Sequence, residues 1–490
     1  MSLSSALNIA QSALQTTARQ TSVVSRNVAD ASNPDYSRRT ATVISTAPGA
    51  RSVDIQRATN DLLFRQNLSA LSSWAGQNAL FDGMDRLGLS VNGVDNASSA
   101  SAAIGNLQQA LQLYATSPSN QNLGTSVIDA AKQVVRSLND GTSAIQAFRT
   151  QTDGQISTAV DDLNTLLSQF QDANTAVVSG TRSGSDVSDA LDQRDSLLKK
   201  IAEYVPVSTY TRGGNDMVIT TTSGTTLFET VPRSVSFSAS PGYAAGMAGN
   251  TVYIDNVPLT GGSGGNTDAG GKLAGLIQLR DDVASTMQGQ LDEVARGLIT
   301  AFAETSPGNP DLAGLFTWTG SPSLPTPPAV PAAGTLVNGL AGSIKVNAAM
   351  DPAVGGDPAK LRDGGANGAA YVANTSGGAS YADQLIAYGD RLDRPMAFSP
   401  AAGITSTSSV TSYSASAIGW FEGIRQQAST AADSKEALAT RTAEALSNQT
   451  GVNVDTEMSL MLDLEHTYQA SARILNTVNQ MLDALLQAAG

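Results

Sequence analysis

The stretch SLMLDLEHTYQASARILNTVNQMLDALL, residues 459–486, decides how this chain is to be read. Leu460, Leu464, Thr467, Ser471, Ile474, Val478, Met481 and Leu485 recur at alternating spacings of four and three, and Met461, Tyr468, Leu475 and Leu482 form a second stripe beside them. That spacing is a heptad, which predicts an amphipathic helix with an apolar seam. The opposite end repeats it: LSSALNIAQSALQTTARQTSVVSRNVA, residues 3–29, carries Leu3, Leu7, Ala10, Leu14, Thr17, Thr21, Val24 and Val28. Neither helix can hide its stripe alone, and each large side chain left wet forgoes about 1.5–3 kcal/mol. Two arrangements remain open, an intramolecular pair of the two ends or that pair packed in turn on neighbouring subunits. Small residues at several seats weaken the intramolecular seam and favour the second.

Between the ends, Val127, Ala131, Val134, Leu138, Ile145, Phe148, Ile156, Leu163, Leu167, Phe170 and Val177 mark one face of a long helix, approaching about 80 Å at 1.5 Å per residue. Gly141 and Gly154 are the points where a break or kink would fall. Helical stripes also run over 61–81, 275–304 and 412–447. Alternation then takes over at Val205 and Val207, Met217 and Ile219, Val235 and Phe237, and Val252 and Ile254, with turn signals at Gly213-Gly214, Ser223-Gly224, Pro241-Gly242 and Asp255-Asn256. From 306 to 410 the chain is rich in Pro, Gly, Ala and Ser, and Pro322, Pro325, Pro327, Pro328 and Pro331 argue against regular structure. Only a weak core around Ile344, Val346, Leu385 and Ile386 is expected there.

The expected fold class is mixed and multidomain. A terminal α-helical coiled coil (1–60 with 449–490) joins an elongated helical bundle (61–185, 271–305 and 411–448). Inserted into it are an antiparallel β-rich outer domain (186–270) and a Pro/Gly-rich insertion (306–410), a candidate further outer domain. At 490 residues the chain exceeds what one core supports.

Composition closes off most chemistry. With 29 Lys and Arg against 43 Asp and Glu, the net charge of -14 opposes nucleic acid and anionic membrane surfaces. There is no cysteine and a single histidine, His466, which removes thiolate nucleophiles and Cys/His metal sites. No cofactor or metal site is expected. No apolar run reaches membrane-spanning length, and the opening Met1-Ser-Leu-Ser-Ser-Ala-Leu-Asn-Ile-Ala lacks the basic and hydrophobic regions of a cleavable signal peptide. The run from Gly261 to Gly271-Lys272 is no phosphate loop, since Asn266 stands where glycine is required and Leu273 where Ser or Thr is required. Asp189, Asp192 and Asp195 read as a solvated helix face with Arg194 and Lys199 as ordinary ion-pair partners. His466 reads as exposed or interfacial, with no oriented catalytic partner.

Three segments carry a resemblance. Arg26-Asn27-Val28-Ala29-Asp30-Ala31-Ser32-Asn33-Pro34-Asp35-Tyr36-Ser37-Arg38-Arg39 resembles the signature of flagellar rod, hook and hook-associated proteins, with Asp35 in place of the usual glycine. Gly451-Val452-Asn453-Val454-Asp455-Thr456-Glu457-Met458, followed by Tyr468-Gln469-Ala470-Ser471-Ala472-Arg473, is similar to the hook-associated branch, as is Leu191-Asp192-Gln193-Arg194-Asp195. Asp455 is placed to cap the last helix, with Glu457 and Asp463 early in it.

The resemblance implies a non-enzymatic structural subunit at the junction of hook and filament, extracellular and exported without a cleaved signal through the flagellar type III apparatus. A hook or distal-rod subunit is the alternative. Implied partners are further copies of itself, hook protein, the second hook-associated protein FlgL, and a cytoplasmic export chaperone on the C-terminal helix. Neither nucleic acid nor membrane insertion is implied. The implied assembly interface is Leu3, Leu7, Leu14, Val24, Asn27, Val28, Asn33, Pro34 and Tyr36, with Leu460, Leu464, Tyr468, Ile474, Leu475, Val478, Met481, Leu482 and Leu485.

Overall fold

The computed structural model describes residues 3–46, 50–265, 267, 270–321 and 324–489, so Met1, Asn266, Pro322 and the side chain of Leu3 lie outside the described residues. Helix α1 (Leu3–Ala29) ends just ahead of Asn33-Pro34. Asn33 Oδ1 accepts from the Asp35 backbone N–H at 3.0 Å, a turn built by a short polar side chain. Asp35 does not adopt positive φ, so glycine is not required at that place. The chain then forms an antiparallel hairpin, β1 (Arg39–Thr46) with β2 (Ala50–Arg57), Arg39 opposite Arg57. Sequence reading had given this whole stretch to the terminal helices. Its signal was the β-branched run Thr40-Ala41-Thr42-Val43-Ile44.

Helix α2 (Asp61–Asn92) starts at Asn60, whose side chain accepts from Leu63 N–H at 3.0 Å. Helix α3 (Ala100–Thr116), capped by Ser99, falls within the expected bundle segment 61–185, though outside the stripes assigned there. Helix α4 (Gln121–Ser183) runs 63 residues, about 95 Å. All eleven residues assigned to its apolar face are buried, and it closes on Gly184 in the left-handed region. It passes unbroken through Gly141 and Gly154. At Gly141 a Cβ would sit 3.0 Å from Leu291 Cδ1, so the glycine admits a neighbouring helix and does not bend its own.

Helix α5 (Ser188–Tyr204) packs on α2 and α4, so the stretch expected to be β-rich from 186 begins with helix. The strands follow as β3 (Val207–Thr211), β4 (Met217–Thr221), β5 (Thr226–Glu229) and β6 (Val231–Pro232) in one antiparallel sheet. A second sheet joins β7 (Val235–Ser236), β8 (Tyr253–Ile254) and β9 (Val257–Pro258). Asp255 and Asn256, at φ 47° and 65°, make the two-residue turn between β8 and β9.

Helix α6 (Lys272–Gln278) continues through a π-helical turn (Leu279–Val283) into α7 (Ala284–Ala301). A Cβ on Gly275 would lie 2.3 Å from the Gly76 carbonyl oxygen, so α6 and α2 meet backbone to backbone.

The Pro/Gly-rich insertion is more ordered than its composition suggests. It contains β10 (Phe316–Trp318), α8 (Leu340–Ser343), β11 (Ile344–Val346), α9 (Ala359–Asp363), α10 (Asp383–Asp393), β12 (Met396–Ala397) and β13 (Thr407–Ser408). Trp318, Leu340, Ile344, Leu385, Tyr388 and Phe398 are buried, while Ile386 faces solvent. Buried carboxylates at and beyond α7 hold its loops. Asp292 accepts from Gly339 and Ala341 N–H at 2.9 and 2.8 Å, Glu293 from Ser399 N–H at 2.7 Å, and Glu304 from Ala366 and Asn367 N–H at 2.8 and 2.9 Å. Such bonds order backbone that cannot form ladders.

Helix α11 (Val410–Thr450) packs on α2, and α12 (Val454–Ala489) returns to pack on α1. The two chain ends therefore pair, with everything else inserted between them.

Burial pushes the Asp292 carboxyl up to about 7, against the hydrogen bonds from Ala341 and Gly339. An unfolded Asp titrates near about 3.9. Between those values the folded chain keeps a proton that the unfolded chain has released, so stability declines as pH rises, by at most about 1.4 kcal/mol per unit. Urea unfolding between pH 5 and 6.5 should show this decline in the native chain and a flatter one in Asp292→Asn.

Candidate assembly interface

The α1–α12 pair buries a narrower seam than the heptads suggest. On α1, Ala10, Thr17 and Val24 are buried, and Leu7, Leu14 and Val28 are half-buried. On α12 only Glu457, Leu464, Ser471 and Val478 are buried, at intervals of seven, flanked by half-buried Met461, Leu475 and Leu482. Leu460, Thr467, Ile474 and Met481, assigned to the same stripe, lie beside the seam in solvent, and Leu485, on the seam's own seat seven residues past Val478, is exposed as well. Ile474 is 54% exposed, Leu485 56% and Leu486 71%. Tyr468 and Leu462 are exposed with them. The seam takes one row from each predicted stripe, because α12 carries apolar residues over more of its circumference than α1 can cover.

A polar latch closes the base of the pair. Glu457, fully buried, accepts from Arg38 Nε at 2.6 Å and from Asn27 Nδ2 at 2.9 Å. Asn27 Nδ2 also donates to the Arg39 carbonyl, while Asn27 Oδ1 accepts from Tyr36 OH at 2.8 Å and Arg39 N–H at 3.1 Å. Burial pushes the Tyr36 hydroxyl up to about 12, which keeps it a donor. Asn27 and Tyr36 thus serve the chain's own turn, whereas Asn33 and Pro34 face solvent. The cap of α12 is Asn453, accepting from Thr456 N–H at 3.0 Å; Asp455 does not supply it, because the helix starts one residue before Asp455. Glu457→Gln should speed hydrogen exchange of α12 amides while leaving α2 and α11 unchanged, since hydrogen bonds to buried charges contribute about 1.5–3 kcal/mol.

The aspartate row on α5 has a structural role that spacing did not reveal. Arg39 Nη2 donates to Asp189 at 2.6 Å and Asp192 at 2.9 Å, and Arg57 bonds Asp192 through Nε and Asp195 through Nη2, both at 2.7 Å. Arg26 reaches Asp189 at 3.5 Å. Three arginines of the terminal module thus alternate with three carboxylates of the bundle. Burial opposes the charge on Arg57, but Asp195 and Asp192 outweigh it and raise its pKa. Arg194 is instead committed to Asn174 and the Asn215 carbonyl, and Lys199 to Asp35 at 2.9 Å. His466 is exposed. Among the described residues no acidic or His cluster is arranged to hold a metal, and no helix is long and apolar enough to cross a membrane.

Comparison with known proteins fits this arrangement. Residues 91–317 match the family described as "Flagellar hook-associated protein FlgK helical domain", and residues 445–488 match "Flagellar basal body rod FlgEFG protein C-terminal". Flagellar hook-associated protein 1 of Salmonella typhimurium is 22% identical over 61% of this chain and 54% of its own length. That of Bacillus subtilis is 20% identical over 80% of this chain and 77% of its own. The chain therefore spans about half the length of the Salmonella relative. A solved structure, the flagellar hook junction protein FlgK from Burkholderia pseudomallei, aligns with TM-score 0.43 at 18% identity over 52% of this chain and 47% of that one. The two family matches point to the flagellar rod, hook and hook-associated class. Within that class, the chain is similar to the flagellar hook-associated proteins named FlgK, whose helical-domain family matches a little under half of it.

Proposed function

We propose that this chain is a non-enzymatic structural subunit at the junction of hook and filament, outside the cell, required for filament assembly. The observation that carries the reading is that Leu460, Tyr468, Ile474 and Met481 beside the seam, and Leu485 and Leu486 at its far end, stay exposed on a helix whose seam is already paired. Exposed apolar side chains gathered along one helix suit an interaction site, and repeated copies in a helical or ring assembly would cover them. Further partners are hook protein on one side, FlgL on the other, and before export a chaperone whose groove takes the same face of α12. A chaperone that bound equally well after removal of 460–490 would refute that last element.

The match of 445–488 to rod proteins favours a second reading, a hook or distal-rod subunit. Electron microscopy of cells lacking the gene, with a blot of the medium for flagellin, separates them. Hooks without filaments plus shed flagellin support the junction role, missing hooks support the second reading, and normal filaments refute both.

A further inference from the structure

The joint between the terminal module (α1, β1, β2 and α12) and the bundle includes the arginine–aspartate ladder on α5, Asp35 on Ser196 and Lys199, and the Arg38 N–H on the Thr450 carbonyl of α11. The ladder's bonding pattern is unusual for a fixed joint. No arginine grips one carboxylate with two nitrogens. Arg39 uses Nη2 for both its rungs, leaving buried Nε and Nη1 without partners, and Arg57 divides its two donors between two carboxylates. Bidentate pairing is what gives guanidinium–carboxylate contacts their geometric specificity, and here it is absent.

The carboxylates continue past the last rung in use. Asp186, Asp189, Asp192 and Asp195 recur every three residues, four carboxylates for the three arginines 26, 39 and 57. Asp186 is exposed, accepts hydrogen bonds from Ser188, and makes no ion pair among the described residues.

There is also room to move. A cleft of about 950 Å³ and a slot of about 490 Å³ flank the joint, and Asp30, Asn33, Asp35 and Tyr36 line both. The turn between α1 and β1 therefore stands between two spaces and is not wedged into an apolar socket.

We propose that this joint has two registers, the three arginines stepping together by three residues toward the N-terminus of α5 so that Asp186, in the turn just ahead of the helix, enters the ladder and Asp195 leaves it. Arg39 then spans Asp186 and Asp189, and Arg57 spans Asp189 and Asp192, while the Lys199–Asp35 ion pair is given up. Asp35, now on Ser196 and Lys199, meets Gln193 and Ser196, and Gln193 already lines the slot beside it. Asp195 stays next to Arg194, whose Nε has no partner in the present register. The side-chain latch of Asn27, Tyr36, Arg38 and Glu457 lies inside the terminal module and travels with it, while the Arg38 N–H to Thr450 carbonyl bond at 2.7 Å is the tie to α11 that the step exchanges for water. The step is a property of the isolated chain and does not depend on its place in the flagellum.

The chain has no cysteine, so two can be introduced for spin labels without background. Ser22→Cys on α1 and Thr175→Cys on α4 are both at exposed positions. Double electron–electron resonance on the full chain should give two distance components differing by up to about 4.5 Å, three residues of helical rise. Asp186→Asn should leave only the component of the present structure, and Asp195→Asn should raise the other at least about fivefold, a 1 kcal/mol bias. A single component in the parent chain, or two whose proportions neither substitution changes, would overturn the proposal.

Discussion

Replacing Ile474 and Leu485 together by aspartate should leave the folded chain intact and stop filament growth. Both side chains are already mostly in water, so the monomer loses little by the exchange, and its melting temperature should stay within about a degree. In the proposed assembly the same positions are covered. Burial of each is worth about 1.5–3 kcal/mol, and an unpaired carboxylate there adds a desolvation cost. Losing even about 4 kcal/mol per contact weakens association roughly a thousandfold, and the defect repeats at every subunit. The control is Val478→Asp, on the buried side of α12, which should destabilise the terminal pair in the monomer itself. If Ile474→Asp/Leu485→Asp cells swim normally while the purified chain melts normally, the outward face is not the interface.

That face also explains where sequence reading succeeded and where it did not. The apolar stripe of α4 was legible because one side of that helix is buried in the chain's own core, so its period and its burial agree. On α12 the period was right and the seam was not, since that helix has more apolar rows than its own partner α1 uses. Buried seats went to Glu457 and Ser471 while Ile474 and Leu485 stayed outside, and hydrophobicity alone cannot separate those roles.

Polar joints were hidden for a different reason. Asp189, Asp192 and Asp195 look like a solvated face when only neighbours are considered. Their arginines lie at 26, 39 and 57, more than a hundred residues away in sequence. The insertion after 306 departs from its composition because its short ladders and apolar core are joined by buried carboxylates, Asp292 and Glu293 on the preceding helix among them. Asp292 and Glu293 were visible as adjacent acids in an apolar stretch, LDEVARGLI, and that juxtaposition was the available signal.

The second large effect lies far from the terminal pair, at Asp153. This residue of α4 is fully buried and accepts from Arg280 Nη1 at 2.5 Å, Ser240 N–H at 2.6 Å and Tyr243 OH at 2.8 Å. Arg280 sits on the π-helical turn, and Arg149, also buried, donates to the Arg280 carbonyl at 3.0 Å and to the Met247 carbonyl at 2.6 Å. Asp153 thus balances two buried guanidinium groups and ties loop 240–250 to the junction of α4 with α7. Asp153→Ala leaves those charges to Asp281, a third exposed, and leaves Ser240 N–H and Tyr243 OH without an acceptor. Breaking a buried pair by removing one partner costs about 3–5 kcal/mol. Asp85→Ala, which removes an exposed pair with Arg425, should cost at most about 1 kcal/mol. A chain of this size need not unfold in one step, so hydrogen exchange is the sharper readout: protection should collapse across 240–250 and the π-helical turn in Asp153→Ala, with the α1–α12 pair unchanged. Equal protection in Asp153→Ala and Asp85→Ala would mean that the buried network contributes nothing beyond an ordinary surface pair.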